Sequence, residues 1–176
     1  MIFDDHSNRV LSIAISKDNK TLYTSSEDAT IKVWSLETGS LITTFTTHTA
    51  AVWSIALHPC KNILASGSWD LTVKLWDLST SKEITTLKEH KETIMNVCFS
   101  PNGKLLVSSG FDKSIVIWNM DTYTQRHKIS FSQQYSVWEI LFNRTQSLMF
   151  SAGDDYLLRV WNAETFDMIL EFACDS

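Results

Sequence analysis

Residues 64–77 read LASGSWDLTVKLWD. Apolar residues alternate with small or polar ones on both sides of Trp69-Asp70, the period-two pattern of two strands joined by a tight turn. The stretch recurs along the chain. Its closing Trp76 has counterparts at Trp34, Trp118 and Trp161, at spacings of 42, 42 and 43 residues. Six residues before these tryptophans stand Asp28, Asp70, Asp112 and Asp155, and ten before them a small hydroxyl, Thr24, Ser66, Ser108 and Ser151. Upstream again come His6, His48 and His90, with Gln133 in the fourth unit. A unit of this length cannot bury its own apolar face, so like units must stack against each other.

Each unit reads as four strands. In the second they fall at about 52–57, 63–67, 72–76 and 83–87, separated by His58-Pro59-Cys60-Lys61-Asn62, by the turn at Trp69-Asp70, and by residues 77–81. The third unit has Ser100-Pro101-Asn102-Gly103 at its first turn, residue types that supply the restricted or positive φ a turn needs. Thr38, Thr80, Thr122 and Thr165, four residues after each Trp, are placed to bond back onto the third turn.

On these residues the chain resembles the WD40 repeats of WD-repeat β-propellers. The resemblance covers about residues 6–172 and rests on four registered copies. There are departures. Only Asp77 completes a literal Trp-Asp pair, the others being Trp34-Ser35, Trp118-Asn119 and Trp161-Asn162, and no Gly precedes any of the His residues. The expected fold is all-β, with four four-stranded antiparallel blades over repeats at about 6–47, 48–89, 90–131 and 132–176.

His, Ser and Asp together invite a hydrolase reading. A triad, however, is one exposed nucleophile beside one base, whereas this set recurs beside a Trp in every unit, and no Gly-x-Ser-x-Gly elbow occurs. The structural reading uses every member: a buried His donates to the Asp carboxylate and the Ser/Thr hydroxyl, which accepts from the indole N–H. The resemblance implies the same network at His48–Ser66–Asp70–Trp76 and its equivalents. No enzyme activity, cofactor or metal site is expected. His58 and Cys60, flanking Pro59, are too few for a metal and read as ordinary turn residues. Gln133 cannot become charged, and one residue is inserted between Trp118 and Val137, so the fourth blade is expected to be the least rigid.

Of 176 residues, 44% are hydrophobic and 20% charged, ordinary for a globular protein. The net charge of −5 and the lack of a basic run argue against nucleic-acid binding and a polybasic membrane patch. No apolar stretch approaches 18 residues, and the acidic start is unlike a signal peptide. Cys60, Cys98 and Cys174 are odd in number and widely spaced, which suggests a reducing compartment, cytoplasm or nucleus. Cys98 stands where the other units carry Ala14, Ala56 and Leu141, and reads as a core filler.

Resemblance implies seven blades, sometimes eight, for a closed ring. Both end units are as apolar as the inner ones, so neither is a polar cap. Three closures follow: a portion of a longer propeller, a homodimer forming an eight-bladed ring, or four blades alone, closed or as an open arc.

Partner-binding positions should vary between blades at one rim. The residue before each turn Asp is Glu27, Trp69, Phe111 or Asp154, and the second residue of each first strand is Leu11, Trp53, Met95 or Trp138. Two before that lie Arg9, Ala51, Thr93 and Ser136. Resemblance implies that these positions form the partner-binding top face. Trp, Phe and Met are enriched at interfaces. The expected function is therefore a non-catalytic scaffold binding a peptide or partner domain. The alternative is the targeting propeller of a larger enzyme or complex, including a methyl-lysine reader whose cage uses Trp53, Trp69, Phe111 and Trp138 with Glu27 or Asp154 nearby.

Overall fold

A computed structural model describes residues 3–131 and 136–173. Every regular element is a strand. The first blade comprises β1 (Val10–Ile15), β2 (Thr21–Ser26), β3 (Ile31–Ser35) and β4 (Leu41–Phe45). The second comprises β5 (Val52–Leu57), β6 (Ile63–Ser68), β7 (Val73–Asp77) and β8 (Lys82–Leu87). The third is β9 (Ile94–Phe99), β10 (Leu105–Gly110), β11 (Ser114–Asn119) and β12 (Thr124–Ser130), and the fourth β13 (Val137–Phe142), β14 (Leu148–Gly153), β15 (Leu157–Asn162) and β16 (Met168–Ala173). Each blade is a four-stranded antiparallel meander in chain order.

The core lies between blades. Ala14, Tyr23, Val33 and Phe45 of the first blade pack on Val52, Ile55, Leu64 and Trp76 of the second. The second meets the third through Ala65, Leu75 and Leu87 against Val97, Leu106 and Trp118. The third meets the fourth through Val107, Ile117 and Phe131 against Ile140, Met149 and Trp161. A polar side chain on the innermost strand of each of the first three blades bonds the next blade's backbone: Ile55 N–H to Ser12 Oγ (3.4 Å), Val97 N–H to Ser54 Oγ (3.2 Å) and Ile140 N–H to Asn96 Oδ1 (3.3 Å).

The four blades form an open arc, so solitary closure is corrected. Val10, Ile13 and Ile15 on the first blade and Leu141, Leu170 and Phe172 on the fourth are exposed. Four blades of this spacing leave the two end faces without a blade to meet.

The third turns explain the incomplete Trp-Asp pairs. The N–H of Thr38, Thr80, Thr122 and Thr165 donates to the side chain directly after the Trp, on Ser35, Asp77, Asn119 and Asn162 respectively. The position needs a short acceptor, and Ser, Asp and Asn all provide one. The Thr backbone, more than its hydroxyl, closes this turn.

Candidate partner-binding rim and its bracing network

The bracing network forms as the spacing predicts in the first three blades. His6 Nδ1 lies 2.8 Å from Asp28 Oδ2 and its Nε2 2.7 Å from Thr24 Oγ1, which accepts from Trp34 Nε1 at 2.8 Å. The second blade repeats this with His48 to Asp70 at 2.6 Å, His48 to Ser66 at 2.7 Å and Trp76 to Ser66 at 2.8 Å. The third has His90 to Asp112 at 3.0 Å, His90 to Ser108 at 2.7 Å and Trp118 to Ser108 at 2.8 Å.

The Asp also builds its own turn. Asp70 Oδ1 accepts from the Thr72 N–H (3.0 Å) and hydroxyl (2.6 Å), while Oδ2 takes His48 and the Thr49 N–H. The residue between, Leu71, sits at φ 70°, as do Ala29, Lys113 and Tyr156 near that value in their blades. The carboxylate stabilises a left-handed residue that a non-Gly side chain disfavours. Burial raises the Asp28 and Asp112 carboxyls, but the bonds from Thr30 and His6, and from His90, Lys91 N–H and Ser114, outweigh it and hold both at about 2. Asp70 is lowered further, its burial being outweighed by His48 and Thr72. In the first three blades each His is engaged at both ring nitrogens, and the hydroxyl beside it also takes an indole N–H.

The fourth blade is braced differently. Trp161 Nε1 still donates to Ser151 Oγ at 2.9 Å, but Asp155 is gripped by Arg159 Nη2 at 2.6 Å. Arg159 also bonds Glu171 at 2.8 Å and lies over the Phe131 ring at 5.1 Å. Gln133, the fourth unit's counterpart of the His, lies outside the described residues, as does Cys174. Arg159 went unrecognised in the sequence because its counterparts, Lys32, Lys74 and Val116, read only as alternating strand residues.

One rim gathers the variable positions. In each blade the residue before the turn Asp donates its N–H to the carbonyl two residues before the second residue of the first strand: Glu27 to Arg9 (3.0 Å), Trp69 to Ala51 (2.9 Å), Phe111 to Thr93 (2.9 Å) and Asp154 to Ser136 (3.2 Å). Between these ties the strand pairing slips by one residue, so that Leu11, Trp53, Met95 and Trp138 each fall in a β-bulge. A bulge bends its strand and re-aims a side chain, which is how these positions leave the blade-packing face.

Their exposure divides them. Trp69 and Trp138 are each 43% exposed, and Trp53 and Phe111 are half-buried. Trp53 stacks on Trp69 within the second blade (5.6 Å, 14°), and Phe111 meets Trp138 edge-on across the third and fourth (5.6 Å, 77°). Met95 is only 3% exposed, which corrects its place in the binding surface. Its strand β9 is flanked by β5 and β13, and an unbranched thioether folds into a gap that an indole does not enter. In the first blade Leu11 and Glu27 are half-buried, and exposed Arg9 pairs with Glu27 at 2.7 Å. In the fourth, exposed Asp154 accepts the Ser136 N–H at 2.6 Å, closing its own rim. The apolar surface is therefore Trp53, Trp69, Phe111 and Trp138.

Among the described residues no group of three or more His, Cys, Asp or Glu is placed to hold a metal. Cys60 and Cys98 are free thiols, and burial pushes Cys98 up to about 11, which keeps it unreactive. Among the described residues no helix is long and apolar enough to cross a membrane.

The family pattern described as "WD domain, G-beta repeat" matches residues 1–35, 39–77, 81–119 and 124–162. The chain belongs to the WD-repeat family. Each matched stretch ends at a Trp and its following acceptor, so the last three each hold the whole outer strand of one blade and the first three strands of the next. That phase accounts for Phe3, which meets Trp34 edge-on at 5.4 Å where Phe45 stacks on Trp76 at 4.8 Å. WD repeats generally mediate protein–protein interaction and are typically non-catalytic scaffolds. No curated relative matches the chain.

Proposed function

We propose that this WD-repeat chain is a non-catalytic scaffold that binds a peptide segment or partner domain on its bulged rim, in the cytoplasm or nucleus. The carrying observation is the run of four aromatics over three blades, two of them exposed indoles, held by backbone ties and bulges. They lie outside the blade-to-blade clusters, so folding does not require them, and indoles exposed in this way act as anchors. The methyl-lysine alternative finds less support, because Trp53 and Trp69 stack on each other's faces where a cage needs an open face.

Peptides selected from a random displayed library on the intact chain provide the test. Trp69→Ala and Trp138→Ala are each expected to weaken the selected peptides by more than about 30-fold, the effect of removing an anchor worth about 2 kcal/mol. Their denaturant midpoints should stay near wild type. Undiminished binding by both variants would remove the rim as the binding surface.

A further inference from the structure

The turns after the first strands lie at the opposite rim, and each neighbouring pair is tied across the blade boundary by a different link. Lys17 Nζ donates to the Pro59 carbonyl between the first and second blades. The Asn102 N–H donates to Gln146 Oε1 at 3.1 Å between the third and fourth. Between the second and third, His58 Nε2 bonds the Gly103 carbonyl at 3.0 Å.

His58 is no ordinary turn residue. It is buried, with its ring edge-on to Phe99 at 5.0 Å. Its Nδ1 accepts two backbone N–H groups, from Cys60 at 3.0 Å and Lys61 at 2.9 Å. That nitrogen therefore carries no proton, and Nε2–H is the donor to Gly103. The partner turn is shaped for the ring. Gly103 adopts φ +71°, and a Cβ there would come within 2.3 Å of the imidazole. The other units close this turn locally, the N–H of Thr21, Leu105 and Leu148 donating to Ser16, Ser100 and Asn143 respectively.

We propose that His58 is an acid-opened joint: the neutral ring accepts the Cys60 and Lys61 N–H groups at Nδ1 and so fixes the turn from which it bridges to Gly103, and protonation at Nδ1 breaks those two bonds and frees that turn of the second blade. A proton on Nδ1 would point at two N–H groups already directed at that atom, and the ring cannot keep both sets of bonds. The titratable groups around it are Lys61 and Cys60 on its own turn, Lys17 and Tyr23 from the first blade across the shared cleft, and Lys104 beside Gly103. Burial disfavours the imidazolium first, the Gly103 carbonyl opposes this, and the Lys61 and Lys17 charges add to the burial, so the ring titrates below its ordinary value. A depressed histidine contributes stability that is present above the unfolded value of 6.5 and lost as pH falls through the folded one. The other two ties, from Lys17 to the Pro59 carbonyl and from the Asn102 N–H to Gln146, contain no histidine.

Hydrogen exchange of the intact chain, corrected for intrinsic rates and followed from about pH 7.5 to 5, tests the joint. The Cys60 and Lys61 amides should lose protection by up to about tenfold per pH unit as pH falls from 6.5 towards the folded ring's midpoint, levelling off below it, while Asn102 keeps its protection. His58→Asn places at this turn the residue that Asn143 supplies in the fourth blade, and its exchange in this region should not respond to acid. Equal protection of Cys60 and Lys61 at both pH values in the wild type would overturn the proposal. So would an identical acid response in His58→Asn.

Discussion

A single hydroxyl oxygen shows how tightly these blades are specified. Ser66 Oγ accepts the Trp76 indole proton at 2.8 Å and pairs with His48 at 2.7 Å, both within a buried site. Ser66→Ala leaves two buried polar atoms unpaired and is expected to cost roughly 1–3 kcal/mol. Ser66→Thr should cost far less, because Thr24 makes the same bonds in the first blade. Trp76→Ala removes the ring that fills the boundary beneath Phe45 and should cost roughly 3–5 kcal/mol. Urea unfolding of the three variants checks this order, and Ser66→Ala as stable as wild type would show the hydroxyl to be dispensable. This network was readable in the sequence because its members recur at fixed spacing. Met95 and His58 were not, because each occurs once and its burial depends on residues brought from neighbouring blades.

At the scale of the element, the strands and their order follow from alternation and turn chemistry, and the observed bounds of β5 to β8 lie within about two residues of those read from the pattern. Strand register was less legible. A bulge is one unpaired residue in a ladder, and period-two alternation does not say which residue is left out. Here four bulges fall on the variable rim positions and turn an alternation irregularity into a surface. The fourth blade, expected to be loosest, has an ion pair where its neighbours have a histidine. The Asp155 and Arg159 side chains are only 5% and 12% exposed, so removing the cation strands a carboxylate in a largely dry site. Arg159→Gln is expected to cost roughly 3 kcal/mol and to raise amide exchange across β14 to β16 ahead of the first three blades. Uniform exchange over all four blades in that variant would show that Asp155 is not braced by Arg159.

For the whole molecule, the blade boundary is a repeated joint with two complementary halves. One half presents the residues equivalent to Ala56, Ala65 and Leu75, and the other those equivalent to Val97, Leu106 and Trp118. The arc ends in an open copy of each. Ile13, 64% exposed, takes the place of Val97, and Leu141, 54% exposed, takes the place of Ala56. Glu139 occupies the acceptor position held by Ser12, Ser54 and Asn96, whose bonds cross to the next blade. Apolar faces of this extent associate in water unless covered. The 176-residue chain is therefore expected to show a light-scattering mass above 20.1 kDa at micromolar concentration. Ile13→Asp and Leu141→Asp each charge one half of the joint, and each should lower the mass with little change in the far-ultraviolet spectrum, because neither side chain packs inside the arc. A discrete mass near twice the chain would favour the two-chain ring, since a head-to-tail contact stops at two copies only if the rotation closes. A concentration-dependent series would mean that it does not close. A wild-type chain that stays at 20.1 kDa would show that the exposed faces alone do not drive association.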